Sequence, residues 1–333
     1  MTENNFTYVP LAEPIPISEQ KWPEGTTPLV STSTLTYNHN LYIRDCLDGI
    51  LMQKTTFPVR VVIFDDCSTD GTREIVKEYK NKHPNLIVEI LPATNTWNKP
   101  KERKVALKPY FEARNVAKYI ALCEGDDYWT DPLKLQKQVD FLEANQEYVM
   151  CGHKTEQLFE GENTEIGYLN NYQAGDFAPH NIWHNWMFAT ASLVFSSCIL
   201  KFPEYLIFSK HKHMLQGDIF LIITALELGK IYGLPDTMAI YRKHEGSVTA
   251  DGSSPPTARM MKMLRYINLI AKVYNGKYKS ESNAYYSFKA LRYAYVCKER
   301  KQYIKTLNFA IRGFLKFPSE FIRLLKNEYK SKK

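Results

Sequence analysis

The six cysteines of this 333-residue chain (Cys46, Cys67, Cys123, Cys151, Cys198 and Cys297) include no CxxC pair, so neither a zinc-ribbon spacing nor a disulfide framework is expected. Long apolar runs are missing as well. A run such as Ile219 to Leu226 falls far short of the roughly 20 residues that span a bilayer. The first residues, among them Glu3, Asn4 and Asn5, lack the apolar stretch of a secretory leader, and a cytoplasmic location is expected. No repeat at solenoid periods is present. The segment Tyr37 to Arg44, after the first strand candidate, contains neither glycine nor lysine, which argues against the phosphate-cradling loop of a nucleotidyltransferase.

What is there is a globular composition, with 44% hydrophobic and 24% charged residues, on a chain long enough for one large domain plus an appendage. The net charge of +7 is uneven: Lys298 to Lys333 holds eleven basic and three acidic residues, so this end alone carries about +8. The remainder is close to neutral, which points away from a nucleic-acid-binding core. Apolar residues interleave with the basic ones here (Phe309, Phe314, Leu315 and Phe317 beside Arg312 and Lys316). Two readings stay open: peripheral contact with an anionic membrane surface, or a packed helix with a solvated basic face.

The densest chemistry lies at Glu124-Gly125-Asp126-Asp127-Tyr128-Trp129, directly after the apolar Tyr119 to Cys123. A buried strand delivering three carboxylates to one rim is costly unless a cation sits among them, and hard oxygen ligands suit Mg²⁺ or Mn²⁺. A solvated loop capping the next helix is the plain alternative. Upstream, Leu29 to Thr36, Val59 to Phe64 and Leu86 to Leu91 read as strands. Helices with 3–4 spacing lie between them, at Tyr42 to Gln53 and Thr72 to Lys82. Strand–helix alternation predicts an α/β fold with a mostly parallel central sheet and flanking helices, with ligands beyond the carboxyl ends of the strands. Those ends are Tyr37-Asn38, Asp65-Asp66 and Glu124 to Asp127.

Farther on, Tyr148 to Cys151, Ala191 to Phe195, Ile231 to Gly233 and Met238 to Arg242 are strand candidates. Glu156 to Asn185 reads as a variable loop, and Gly217-Asp218 opens an apolar helix. From Pro255 the pattern is helical. The expected organisation is an N-terminal arm over 1–28, a catalytic domain over 29–252 and a helical, basic extension over 253–333. The histidines His180, His184, His211 and His213 lack a tight ligand spacing for zinc.

Taken in order, Leu35-Thr36-Tyr37-Asn38, Asp65-Asp66-Cys67-Ser68-Thr69-Asp70-Gly71-Thr72, Glu124 to Trp129, Gly217-Asp218 and Tyr241-Arg242-Lys243-His244 resemble bacterial family 2 glycosyltransferases over roughly residues 29 to 250. The resemblance implies the A-type, Rossmann-like glycosyltransferase fold, a nucleotide-diphosphate sugar donor, inversion at the sugar, and a glycan or lipid-linked acceptor in surface polysaccharide synthesis. It places Tyr37 and Asn38 near the donor base and Asp66 on the base or ribose. It places Asp126 on a Mn²⁺ or Mg²⁺ ion, with Glu124 as an indirect contact and His244 as a second metal ligand or diphosphate contact. Asp218 is implied as catalytic base, although an aspartate there can also simply cap its helix; His244 can likewise be an ordinary strand-end histidine. Asp65, Asp70 and Asp127 are expected to brace turns. Family members carry proline where Leu35 stands, and their diphosphate-binding arginine has no secure counterpart; Arg103, Lys104 and Lys108 are the candidates. Rival readings are a glycan-binding protein on a catalytically silent fold, or a sugar-phosphate nucleotidyltransferase.

Overall fold

The computed structural model describes residues 8–160, 165–169, 173–177, 188–209, 217–244, 256–274, 276–299 and 301–331. The expected limit at 252/253, the four histidines at 180, 184, 211 and 213, and much of the expected loop over 156–185 lie outside these residues.

The arm joins the fold early. Strand β1 (Ile15–Pro16) pairs antiparallel with β3 (Lys54–Thr55), Ile17 is buried, and Gln20 Nε2 donates to Thr55 O at 2.7 Å. The strand–helix alternation then appears as β2 (Val30–Thr36), α1 (Ile43–Leu51), β4 (Val59–Asp65), α2 (Thr72–Lys82), β5 (Ile87–Ile90), α3 (Pro100–Ala106), α4 (Lys108–Arg114) and β6 (Tyr119–Leu122). Helix α1 buries Ile43, Cys46, Leu47, Ile50 and Leu51, the stripe that a 3.6-residue period turns to one side. Helices α3 and α4 form where no helix was expected; Pro100 and Pro109 sit in their first turns, where a missing N–H costs nothing.

Strands β5, β4, β2 and β6 lie side by side in that order and all run parallel. The chain winds outward from β2 through β4 to β5, then returns to place β6 on the other side of β2. The order therefore reverses between β2 and β6, and a crevice opens beyond their carboxyl ends. Strand β2 is central, which buries its hydroxyl-rich residues Ser31, Thr32, Ser33, Thr34 and Thr36.

The sheet continues from β6 through β11 (Val194–Ser196) and β8 (Tyr148–Phe159) to β12 (Lys230–Lys243) and β10 (Gly175–Asp176), with β7 (Tyr128–Trp129) on β12 and β9 (Glu165–Tyr168) on β8. Strand β11 is antiparallel to both neighbours, so the whole sheet is mixed. The two short strands expected at 231–233 and 238–242 are one strand, β12. It runs parallel to β8, with register shifts around Leu234 to Ala239 that accommodate Pro235. That partner also carries β8 to Phe159, into the stretch expected to be a loop. Ala191 gives a 3₁₀ turn rather than strand, and β11 begins only at Val194.

After α5 (Lys134–Ala144) the further helices are α6 (Pro203–Ser209), the apolar α7 (Gly217–Leu228), α8 (Pro256–Val273), α9 (Lys279–Glu299), α10 (Tyr303–Lys316) and α11 (Pro318–Ser331). The described residues fall into two compact units. The first takes those up to Phe177, those of 188–202 and those from Ile222 to His244; the second takes α6, the start of α7 and the helices from Pro256 onward.

Candidate active site

The crevice between β2 and β6 gathers the acidic turn and the segment after β2. Beyond β6, Asp127 N–H donates to Glu124 O at 3.0 Å and Gly125 N–H to Leu35 O at 3.0 Å, closing the turn against β2. Glycine is required here: a Cβ at Gly125 would lie 2.6 Å from Thr36 Oγ1 and 2.9 Å from His39 Nδ1. The close approach aims Asp126 at His39, which follows β2. Strand β7 leaves the turn and pairs with β12, Trp129 opposite Ala239 and Tyr128 opposite Ile240, so that Arg242 and His244 arrive at the same place.

Three side chains converge there. His244 Nε2 lies 3.2 Å from Asp126 Oδ2 and His39 Nε2 lies 3.9 Å from the same oxygen. One donor atom from each falls within 4.8 Å of the others, as is also true of Glu124, Asp126 and Asp127. Burial pushes the Asp126 carboxyl up, but the His244 hydrogen bond and the His39 charge more than offset it and hold it below the usual carboxylate range. Burial pushes the His39 imidazole down despite the neighbouring Asp126. Two imidazoles around a carboxylate held in its ionised form bring nitrogen and oxygen donors together, a ligand set for a divalent cation. The approach that only glycine permits at Gly125 keeps that set together, so the residues fit the metal expected from the sequence.

Asp127 differs from its neighbour. It is fully buried, and burial together with the charges of Asp126 and Glu124 raises its carboxyl well above the usual range. Its Oδ1 accepts the Arg242 backbone N–H at 2.9 Å, the bracing role anticipated for it. The Arg242 guanidinium pairs with Asp45 and lies over Tyr128, 4.5 Å from the ring centroid.

Asp66 is buried at the end of β4. Its Oδ1 accepts from Thr96 N–H at 2.9 Å and Thr96 Oγ1 at 2.7 Å, and its Oδ2 accepts from Arg103 at 2.7 Å. Arg103 lies over Trp97, 4.8 Å from the ring centroid. Of the three basic residues expected as candidates for a diphosphate contact, Arg103 thus reaches Asp66, whereas Lys108 pairs with Glu112 on the surface and Lys104 is exposed. Tyr37 is exposed just past β2. Asn38, at φ 53°, accepts the Thr69 N–H at 2.9 Å and donates its own N–H to Ser68 Oγ at 2.9 Å, holding the turn after β4. Asp65 accepts from Ser68 and Asp70 from Thr72, so both brace that turn, as expected.

Glu124 is half-buried, close enough to Tyr110 that its charge adds to the burial raising that phenol. The same corner holds Arg114, 8% exposed, donating to Asn115 at 2.9 Å and lying over Phe111 at 4.9 Å. Among the described residues Arg114 forms no ion pair with a carboxylate, and a buried guanidinium of that kind is suited to an anionic ligand. Asp218 belongs to the second unit, half-buried in the first turn of α7. There its charge adds to the burial that raises the Tyr285 phenol, and an aspartate in a first turn also favours the helix dipole.

His39 and Arg114 were not singled out from the sequence, and Arg242 stood there only within Tyr241-Arg242-Lys243-His244. His39 carries a local signal, one residue beyond Tyr37-Asn38. Arg114 does not, because its setting arises only when α4 packs beside β2, near Ser33.

The sequence profile described as Glycosyl transferase family 2 matches residues 31–194. An uncharacterized protein of Mycobacterium tuberculosis (strain ATCC 25618 / H37Rv) is 35% identical over 215 residues, which are 65% of this chain and 59% of that protein. The poly(ribitol-phosphate) beta-N-acetylglucosaminyltransferase TarS of Staphylococcus aureus (strain MW2) is 41% identical over 96 residues, 28% of this chain and 15% of TarS. The chain thus spans only part of the length of these relatives. The crystal structure of S. aureus TarS 1–349 in complex with UDP-GlcNAc shares the fold at a TM-score of 0.60 and 19% identity, covering 91% of this chain and 92% of that one.

Proposed function

The chain belongs to glycosyltransferase family 2 and has its A-type fold, and from that premise we propose an inverting, metal-assisted transfer of a sugar from a nucleotide-diphosphate donor to a glycan or lipid-linked glycan acceptor. The convergence of His39, Asp126 and His244 at the β2/β6 crevice is the observation that carries this reading. In it, residues 29–252 perform the chemistry at the cytoplasmic face of the membrane and 253–333 form a helical extension. TarS was crystallised with UDP-GlcNAc, which makes uridine diphosphate sugars the first donors to test.

The roles follow from what the reaction needs. Asp126 and His244 would hold the Mn²⁺ or Mg²⁺ ion, which when bound would stabilise the negative charge growing on the leaving diphosphate. Arg114 and Arg103 are the cationic side chains suited to that diphosphate. Tyr37 borders the donor base, and Asn38 fixes the turn beneath it. Asp66, braced by Thr96 and Arg103, hydrogen-bonds the base or ribose. Glu124 would contact the ribose, or the ion only indirectly. Asp218 takes the proton from the attacking acceptor hydroxyl as the bond from that oxygen to the anomeric carbon forms and the bond to the diphosphate breaks; general-base assistance of this kind is worth about 10²- to 10⁴-fold.

The test is thermal unfolding of the protein with UDP, GDP and their sugars, each with Mn²⁺, with Mg²⁺ and with a chelator. A nucleotide sugar that stabilises the fold only when the ion is present is the expected result. Equal unfolding temperatures under all conditions would remove the reading. Asp218→Asn should then abolish transfer and leave the donor-induced stabilisation unchanged; retained turnover would take the base role from Asp218.

A further inference from the structure

Helix α10 has two apolar faces. The inner one is Phe309 and Gly313. Phe309 is 2% exposed and packs on Tyr293 with ring centroids 5.7 Å apart. Gly313 O accepts from Ser287 Oγ at 2.8 Å, and a Cβ at Gly313 would fall 2.7 Å from the Phe321 ring and 3.1 Å from Ala290 Cβ. That face is closed by α9 and α11.

At 3.6 residues per turn, Tyr303, Ile304, Leu307, Ile311, Phe314 and Leu315 fall on a different arc, turned away from Phe309 and Gly313. Their exposures run from 43% at Phe314 to 89% at Ile304. Packing within the helical region leaves this arc uncovered. Lys305 and Arg312, both exposed, line one flank of it, between the outer arc and the inner face. On α11, Ile322 and Arg323 repeat the combination of exposed apolar and basic side chains.

We infer that this outer face of α10 is a docking surface for an anionic lipid bilayer, with its apolar arc at the headgroup–acyl boundary and Lys305 and Arg312 against the lipid phosphates. Charge decides between occupants. The surrounding chain end carries about +8, so a second copy laid on the same face would bring like charges together, whereas an anionic surface is complementary. The helix lies on the bilayer rather than crossing it, since among the described residues no helix is long and apolar enough to span one. The inference goes beyond the sugar-transfer reading and does not depend on it.

The experiment uses the full chain and sedimentation with vesicles of phosphatidylcholine alone or mixed with phosphatidylglycerol. Binding to the phosphatidylglycerol vesicles, at least about tenfold stronger than to phosphatidylcholine and weakened by salt, is expected. Leu307→Glu with Ile311→Glu should lower that binding by about tenfold or more. Lys305→Ala and Arg312→Ala should each lower it about fivefold on the anionic vesicles only. Circular dichroism confirms that the variants fold, and Leu307→Ser serves if the paired glutamates do not. Absence of binding to anionic vesicles overturns the inference, as does binding that Leu307→Glu leaves unchanged. Gel filtration showing a dimer that Leu307→Glu dissociates, without vesicle binding, assigns the face to a second copy instead. Donor-induced stabilisation measured on the same samples separates this outcome from the fate of the sugar-transfer reading.

Discussion

Asp127 and Arg242 stand 115 residues apart in sequence and are joined by one buried hydrogen bond, from the Arg242 backbone N–H to Asp127 Oδ1 at 2.9 Å. That bond ties the acidic turn to the end of β12. Because burial and the charges of Asp126 and Glu124 raise the Asp127 carboxyl well above its usual range, its value to the fold lies in the acceptor oxygen and not in negative charge. Asp127→Asn should therefore unfold within about 0.5 kcal/mol of the wild type. Asp127→Ala should lose about 1–3 kcal/mol, the cost of leaving a buried N–H unpaired. Urea unfolding of the two variants checks this, and equal losses would refute it.

His39 Nε2 lies 3.9 Å from Asp126 Oδ2, the same oxygen that His244 Nε2 approaches at 3.2 Å. Two nitrogen donors favour a transition ion over Mg²⁺, so Mn²⁺ should bind more tightly than Mg²⁺. His39→Ala should weaken Mn²⁺ binding by about tenfold or more and narrow the preference over Mg²⁺. Titration of free Mn²⁺ by electron paramagnetic resonance measures both. An unchanged Mn²⁺ affinity in His39→Ala, with affinity lost in Asp126→Ala, would leave the site to Asp126 and His244.

Gly125→Ala should destabilise the fold by about 1–3 kcal/mol through overpacking, since the new methyl would press on Thr36 and on the His39 ring. The displaced His39 should also weaken Mn²⁺ binding. Unfolding curves and the same titration check the pair of effects together.

Lys134, the first residue of α5, is fully buried, with Nζ donating to Gln138 at 2.7 Å over the Trp129 ring. Burial pushes its ammonium down to about 7. Between that value and the ordinary lysine range near ~10.4 the unfolded chain binds more protons than the folded one, so stability rises with pH there and the full penalty is present below it. From about pH 7 to about pH 8.5 the wild type should gain roughly 1–2 kcal/mol. Lys134→Met should abolish that rise, as chemical denaturation at the two pH values would show.

The parallel core and the place of the acidic turn were legible because each rests on local pattern. Apolar runs alternate with 3–4-spaced helices, and polar residues punctuate the strand ends. Asp126 stood out because its neighbours in sequence share its charge. Strand β11 did not show its antiparallel direction, since direction is fixed by partners (Ala121 and Cys151 opposite Val194) that lie far away in the chain. The continuity of β12 was hidden by Pro235, which the register shifts absorb. His39 and Arg114 were overlooked for a related reason: a lone basic residue signals little until folding buries it beside a particular acid or leaves it buried without one.

The crevice draws its first wall from β2 and the last of its three converging side chains from His244, just past β12. During synthesis, therefore, the parallel strands emerge well before the chain can assemble the trio. A fragment stopping ahead of Lys230 would retain the β5-β4-β2-β6 layer and both Asp126 and His39, yet lack the imidazole that completes the trio. Assembly of the trio is in this sense a late step, completed when the returning strand seats against β8 and β7.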